Sequence, residues 1–154
     1  MKHILFVCTG NSCRSVMAEG FLRKFIGQKA RLYQASSAGI SAPEGFSATP
    51  ETVKLMKAKG VDVSDHHSQR LTTQQIRQAY RIFAMERVHR DWIVNLVPES
   101  KDKVFLLTDF AVDKTQGAPG VPDPIWMSES FYVNVLDVIE NCVSTIVKEL
   151  PDHE

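Results

Sequence analysis

Four apolar residues, Ile4-Leu5-Phe6-Val7, run straight into Cys8-Thr9-Gly10-Asn11-Ser12-Cys13-Arg14-Ser15, and an amphipathic pattern starts immediately behind them. A short apolar run bounded by turn residues reads as a buried strand. From Arg14 to Ile26, Met17, Phe21 and Phe25 recur every four residues beside Ala18, Leu22 and Ile26, which marks a helix with one buried face. Gly27 follows as its stop. The segment between must turn a strand into a helix, and Gly10 and Asn11 are residues that tolerate positive φ there. A strand, a tight loop and a helix N-terminus make an anion site: successive backbone N–H groups point inward and the helix dipole adds partial positive charge. Arg14, separated from Cys8 by five residues, brings a planar fork that matches a tetrahedral oxyanion. A thiol in such a field is favoured as the thiolate, the nucleophilic form. A buried packing role for Cys8 leaves Arg14 unexplained. Nucleophile, cradle and guanidinium together point to phosphoryl chemistry.

The rest of the chain alternates strand and helix. A second strand is predicted over Arg31–Ser37, closed by Gly39, followed by a loop with Pro43, Gly45 and Phe46. Thr49-Pro50-Glu51 is a helix start with an N-cap, proline at the first helical position and an acid in the first turn, and that helix stops at Gly60. Thr72 and Gln75 have capping-box spacing. Arg81–Met85 is the predicted third strand, Val88–Val97 a helix ended by Pro98, and Lys103–Leu107 the fourth strand. The last helix runs from about Ser128 to Leu150, with Phe131, Val135, Ile139, Cys142, Ile146 and Leu150 on one face. This order predicts an α/β fold, a three-layer sandwich with a four-stranded parallel sheet flanked by helices. Ligands of such sheets bind beyond the carboxyl ends of the strands, where Cys8 stands.

The 154 residues suit a single domain spanning 1–154. Eighteen basic and eighteen acidic residues cancel, which removes the electrostatic case for nucleic acid or an anionic membrane as partner. Three cysteines, with no signal-like or membrane-spanning stretch, fit a reducing, cytoplasmic setting. Cys8 and Cys13 have no second pair to complete a zinc site, so neither metal nor other cofactor is expected. Cys13 is instead the expected redox partner of Cys8.

Between Thr108 and Met127 lies a stretch with little regular patterning, including Gln116-Gly117-Ala118-Pro119-Gly120-Val121-Pro122-Asp123-Pro124-Ile125-Trp126. Structureless loops this long are uncommon in compact domains unless they serve a function. Prolines on both sides of Asp123 stiffen the backbone and fix where its carboxylate points. Cleaving a phosphate ester or phosphoramidate needs a proton delivered to the leaving atom, and a loop carboxyl group is a natural donor.

Val7 to Ser15, followed by Met17-Ala18-Glu19, Ser37-Ala38-Gly39, Asp65-His66, Arg70-Leu71 and the distant Asp123-Pro124, resembles the low-molecular-weight protein tyrosine phosphatase family over essentially the whole chain. The resemblance implies a phosphocysteine intermediate on Cys8, with Arg14 and the amides of Thr9, Gly10, Ser12 and Cys13 around the phosphate and Asp123 as the acid and then the base. It implies that Asn11 braces the loop, that Ser15 donates to the Cys8 thiolate, and that His66 supports this network from behind. The implied partner is a phosphorylated protein, and the product inorganic phosphate.

Val16 stands where the family usually has proline, and Ile125 replaces an aromatic that flanks a phosphotyrosine ring, with Trp126 one residue later. Ser12 occupies a position where tyrosine-specific members carry a branched apolar residue and the family's arginine-phosphatase branch a small hydroxyl residue. Pro43, with Phe46 in the same loop, stands where many tyrosine phosphatases place a larger wall residue. Phosphotyrosine is therefore the first expected substrate and phosphoarginine the alternative. Arsenate reductase is a weaker alternative, because it needs a further cysteine pair and no cysteine lies between Cys13 and Cys142.

Overall fold

The computed structural model describes residues 1–111 and 120–153. Gln116, Gly117, Ala118 and Pro119 of the irregular stretch thus lie outside the described residues. In chain order the elements are β1 (Lys2–Cys8), α1 (Arg14–Phe25), β2 (Tyr33–Gly39), α2 (Pro50–Ala58), α3 (Thr73–Gln78), β3 (Ala79–Ala84), α4 (Arg87–Leu96), β4 (Val104–Leu106) and α5 (Glu129–Glu149). The strands form one parallel sheet in the order β2-β1-β3-β4.

β1 is apolar and buried from Ile4 to Cys8 because both its faces are covered there. Ile4, Phe6 and Cys8 belong to a core shared with Met17, Phe21 and the α5 residues Ile139 and Val143. Leu5 and Val7 alternate into a second core with Ile76 of α3, Ile93 of α4 and Val97. These two cores hold the three layers of the sandwich together. The caps read from sequence form: Thr49 accepts the Thr52 N–H, and Thr72 and Gln75 make a reciprocal capping box; the structure adds Ser128, which accepts the Phe131 N–H at the start of α5.

Strand boundaries differ from the sequence expectation for local reasons. β2 begins at Tyr33 because Gly27–Arg31 coils into a 3-10 turn, and it runs on to Gly39. β3 occupies Ala79–Ala84 instead of Arg81–Met85. β4 is reduced to three residues. Lys103 closes a 3-10 turn and donates to the carbonyls of Arg77 and Ala79, while Leu107 opens another such turn. The parallel register sets Cys8 opposite Gly39 and Val7 opposite Ala84, so the ends of β1, β2 and β3 share one edge of the molecule. A Cβ on Gly39 would collide with the Thr9 carbonyl and lie 2.9 Å from the Asn11 nitrogen; only glycine lets β2 end against the loop.

Candidate active site

The loop after β1 turns on a single residue: Asn11 takes φ 53°, whereas Gly10 does not enter the left-handed region. No described side chain caps α1, which leaves its first-turn N–H groups to face an anion. Cys8 is buried, and its Sγ lies 2.9 Å from Ser15 Oγ and 3.3 Å from the Asn11 N–H, which donates to it.

The directions of the surrounding hydrogen bonds follow from groups that have only one option. The Gln69 N–H can only donate, and it does so to Asn11 Oδ1 at 3.0 Å, which identifies the other end of the side chain as Nδ2. That nitrogen donates to Ser15 Oγ at 2.8 Å and to Ser37 Oγ at 3.0 Å. Ser37 passes its own proton to Glu19 Oε2 at 2.7 Å. Ser15, having accepted from Asn11, keeps its proton for Cys8 Sγ. His66 Nε2 donates to the Asn11 carbonyl at 2.8 Å, so it braces the turn from outside.

Arg14 is 3% exposed, and its fork is divided. Nη1 donates to Glu86 Oε2 at 2.6 Å and to the Val121 carbonyl at 2.8 Å. Nη2 lies 3.5 Å from Thr9 Oγ1 and 3.8 Å from Asp123 Oδ2. Nη1 is thus held by two short bonds, whereas Nη2 makes only these longer contacts and can join Nε in a bidentate oxyanion contact. The Asp123 segment reaches the site because the Val121 N–H donates to the Met85 carbonyl and Gly120 bridges to Glu86 just beyond β3. Asp123 Oδ1 accepts the Ile125 N–H at 3.0 Å, which steadies a carboxylate that is 45% exposed.

Glu86 and His89 escape a sequence reading. Glu86 is the N-cap of α4, and its backbone N–H donates to His89 Nδ1 at 3.0 Å, while His89 Nε2 lies 2.8 Å from Thr9 Oγ1. Burial pushes the His89 imidazole down to about 4, and Arg14 beside it acts in the same direction against Glu86 and Asp123. The available signal was positional: Glu86 follows the carboxyl end of β3, where ligand-binding residues of parallel sheets gather.

The expected specificity residues are less tightly gathered. Ser12 is half-buried, with Oγ 3.7 Å from Cys13 Sγ and its carbonyl accepting the Thr49 N–H. Pro43 and Phe46 are exposed on a loop stitched to Ser68, whose hydroxyl donates to the Pro43 carbonyl and accepts the Phe46 N–H. Ile125 packs against the larger core instead of standing free. Trp126 is 98% exposed with φ 67°, so its ring is not packed as a wall in this structure. Cys13 is buried among Ser12, Thr49 and Tyr132, and burial raises its thiol. Cys142 is raised by burial to about 11 and sits in the core, as its helix face indicated. Among the described residues, no three His, Cys, Asp or Glu side chains gather to hold a metal, and no helix is long and apolar enough to cross a membrane.

The low molecular weight phosphotyrosine protein phosphatase family model matches residues 3–154. A protein-arginine-phosphatase of Geobacillus stearothermophilus is 35% identical over 147 residues, 96% of this chain and 95% of the relative. An arsenate reductase of Halalkalibacterium halodurans is 33% identical over 125 residues, 81% and 82% of the two chains. The crystal structure of a low molecular weight protein tyrosine phosphatase from T. tengcongensis superposes with a TM-score of 0.87 at 33% identity, covering 97% of this chain and all of the other. The match to the family model spans the loop after β1 and the Asp123 segment that the sheet brings beside it, and the chain belongs to the low molecular weight phosphotyrosine protein phosphatase family.

Proposed function

We propose that this chain is a cysteine-dependent protein phosphatase working through a phosphocysteine. The observation that carries the reading is the pairing of a thiol served by two donors, Ser15 Oγ and the Asn11 N–H, with a guanidinium held by short bonds at Nη1 and only by longer contacts at Nη2. Cys8 Sγ attacks phosphorus, and the S–P bond forms as the bond to the leaving atom breaks. Arg14 and the loop amides hold the equatorial oxygens as charge builds on them. Asp123 gives its proton to the leaving atom, then takes one from the water that splits the S–P bond and frees inorganic phosphate. Thr9, Gly10, Ser12 and Cys13 supply the rest of the loop, while Asn11, Ser15 and His66 keep it in shape. The substrates are phosphorylated proteins in a reducing, cytoplasmic setting. Replacement of Cys8 by Ser is expected to abolish turnover and leave vanadate binding measurable by calorimetry, since a serine hydroxyl is not anionic near neutral pH and the cradle is untouched.

Phosphotyrosine is the leading substrate by family. A second reading, phosphoarginine, is favoured by the hydroxyl of Ser12 at the loop and by the unpacked Trp126 ring. A branched apolar residue at position 12 would pack against an aromatic ring and leave guanidinium N–H groups unpaired. Ser12→Ile is therefore expected to move the ratio of kcat/KM on matched peptides at least about tenfold toward phosphotyrosine. An unchanged ratio would pass specificity to Pro43, Phe46, Ile125 and Trp126. The arsenate reductase reading lacks its further cysteine pair, since no cysteine stands between Cys13 and Cys142.

A further inference from the structure

His89 is fully buried, it titrates in principle, and the reaction just described makes no use of it. Its two nitrogens are not equivalent. Nδ1 lies 3.0 Å from the Glu86 backbone N–H, a group that can only donate, so Nδ1 must carry a lone pair. The ring proton therefore sits on Nε2 and is given to Thr9 Oγ1 at 2.8 Å. A second donor approaches the same oxygen, because Arg14 Nη2 lies 3.5 Å away. Nitrogen donors thus face both acceptor sites of the Thr9 hydroxyl, and neither nitrogen can take its proton. Among the described residues no other group is paired with Thr9 Oγ1. That hydroxyl stands next in sequence to Cys8 and beside the guanidinium nitrogen nearest Asp123.

We propose that His89 is a positioning residue that holds Thr9 as a dedicated donor to the phosphoryl group. The imidazole fixes the rotamer and the polarity of the hydroxyl, so that its proton is presented to an oxygen of the bound phosphoryl group beside Arg14. A neutral ring is needed for this, since a protonated one would turn Nδ1 against the Glu86 N–H. The groups around the ring are Arg14, Glu86, Asp123 and Thr9, and burial together with Arg14 keeps the ring neutral in the range where a phosphatase works. A corollary concerns the substrate. With its acceptor sites faced by His89 and Arg14, Thr9 is not the partner of a substrate guanidinium N–H.

The proposal rests on the phosphatase reading, so binding and turnover are measured separately. Inorganic phosphate and orthovanadate are titrated by calorimetry, and kcat and KM are measured on p-nitrophenyl phosphate. The full-length chain is compared with Thr9→Val, Thr9→Ser, His89→Leu, His89→Gln and the Thr9→Val/His89→Leu double variant. Thr9→Val is expected to weaken both anions and lower kcat/KM by about tenfold, the size of one hydrogen bond to a charged group, while Thr9→Ser, which restores the hydroxyl, recovers most of that loss. His89→Leu matches Thr9→Val, the double variant is no worse than either single one, and His89→Gln, whose amide can still donate, recovers most of the loss. Unchanged anion affinity in Thr9→Val overturns the proposal; that variant keeps the His89 ring in place and removes only the hydroxyl that accepts from its Nε2. Additive losses in the double variant overturn it as well, because His89 would then act by another route. If the wild-type chain binds the anions but turns over no aryl phosphate, the phosphatase reading fails while the donor role of Thr9 is still decided by the titrations.

Discussion

Asp123 holds its two oxygens in different services: Oδ1 accepts the Ile125 N–H, and Oδ2 faces Arg14 Nη2 at 3.8 Å. The first contact shapes the loop, and in the proposed mechanism the second keeps the carboxyl group beside Arg14, where it would meet the leaving atom. An asparagine keeps the acceptor for the Ile125 N–H and loses the transferable proton, together with the charge that faces Arg14. Asp123→Asn is therefore expected to slow substrates with poor leaving groups by about a hundredfold to ten-thousandfold, and activated aryl phosphates far less. A plot of log kcat/KM against leaving-group pKa reads this directly; an equal loss across the series would mean that the loop itself had shifted. Arg14→Lys is expected to be as damaging as loss of the nucleophile, because a point charge cannot serve Glu86, the Val121 carbonyl and an oxyanion at once.

At the scale of elements, the start of α2 is where three parts of the molecule meet. Thr49 caps the helix through the Thr52 N–H, donates its own N–H to the Ser12 carbonyl at 3.1 Å, and receives the Tyr132 hydroxyl of α5 at 3.4 Å. Thr49→Ala is expected to cost about 1 kcal/mol, the worth of a cap, seen as a fall in Tm of roughly 2–4 °C. Turnover of an aryl phosphate should hold within about twofold, because the backbone contact to Ser12 survives. The cap itself is legible in Thr49-Pro50-Glu51, since it depends on neighbours in sequence. Its grip on Ser12 and Tyr132 is not, since these partners are 37 and 83 residues away. The same divide runs through the site. Cys8, Asn11, Arg14 and Ser15 share one local turn and could be read together, and the prolines around Asp123 drew attention to it. Glu86 and His89 carry no local mark; β3 lying beside β1 brings them to the loop, and that adjacency belongs to the sheet.

The molecule as a whole inherits a pH dependence from His89. In the unfolded chain a histidine titrates near 6.5, whereas folding holds this one neutral down to about 4. Between those values the unfolded state binds more protons than the folded state, so stability falls as pH drops through that window and rises as pH is raised. The slope is at most about 1.4 kcal/mol per pH unit. Chemical denaturation from pH 7 to pH 4 should show it, and His89→Gln should flatten the curve; an unaltered slope would assign the acid sensitivity to other groups. The order of the strands has a further consequence for a chain made from its N-terminus. β1 lies between β2 and β3, both later in the sequence, so it is enclosed on both edges only after Ala84 has been made. At roughly 5–20 residues per second of synthesis, Ile4–Cys8 spend several seconds as an apolar strand with an unpaired edge. Cys8 leaves the ribosome before β3 and the residues behind it have been made. The newborn chain thus exposes Cys8 as an ordinary thiol before the folded loop that would favour its thiolate has formed.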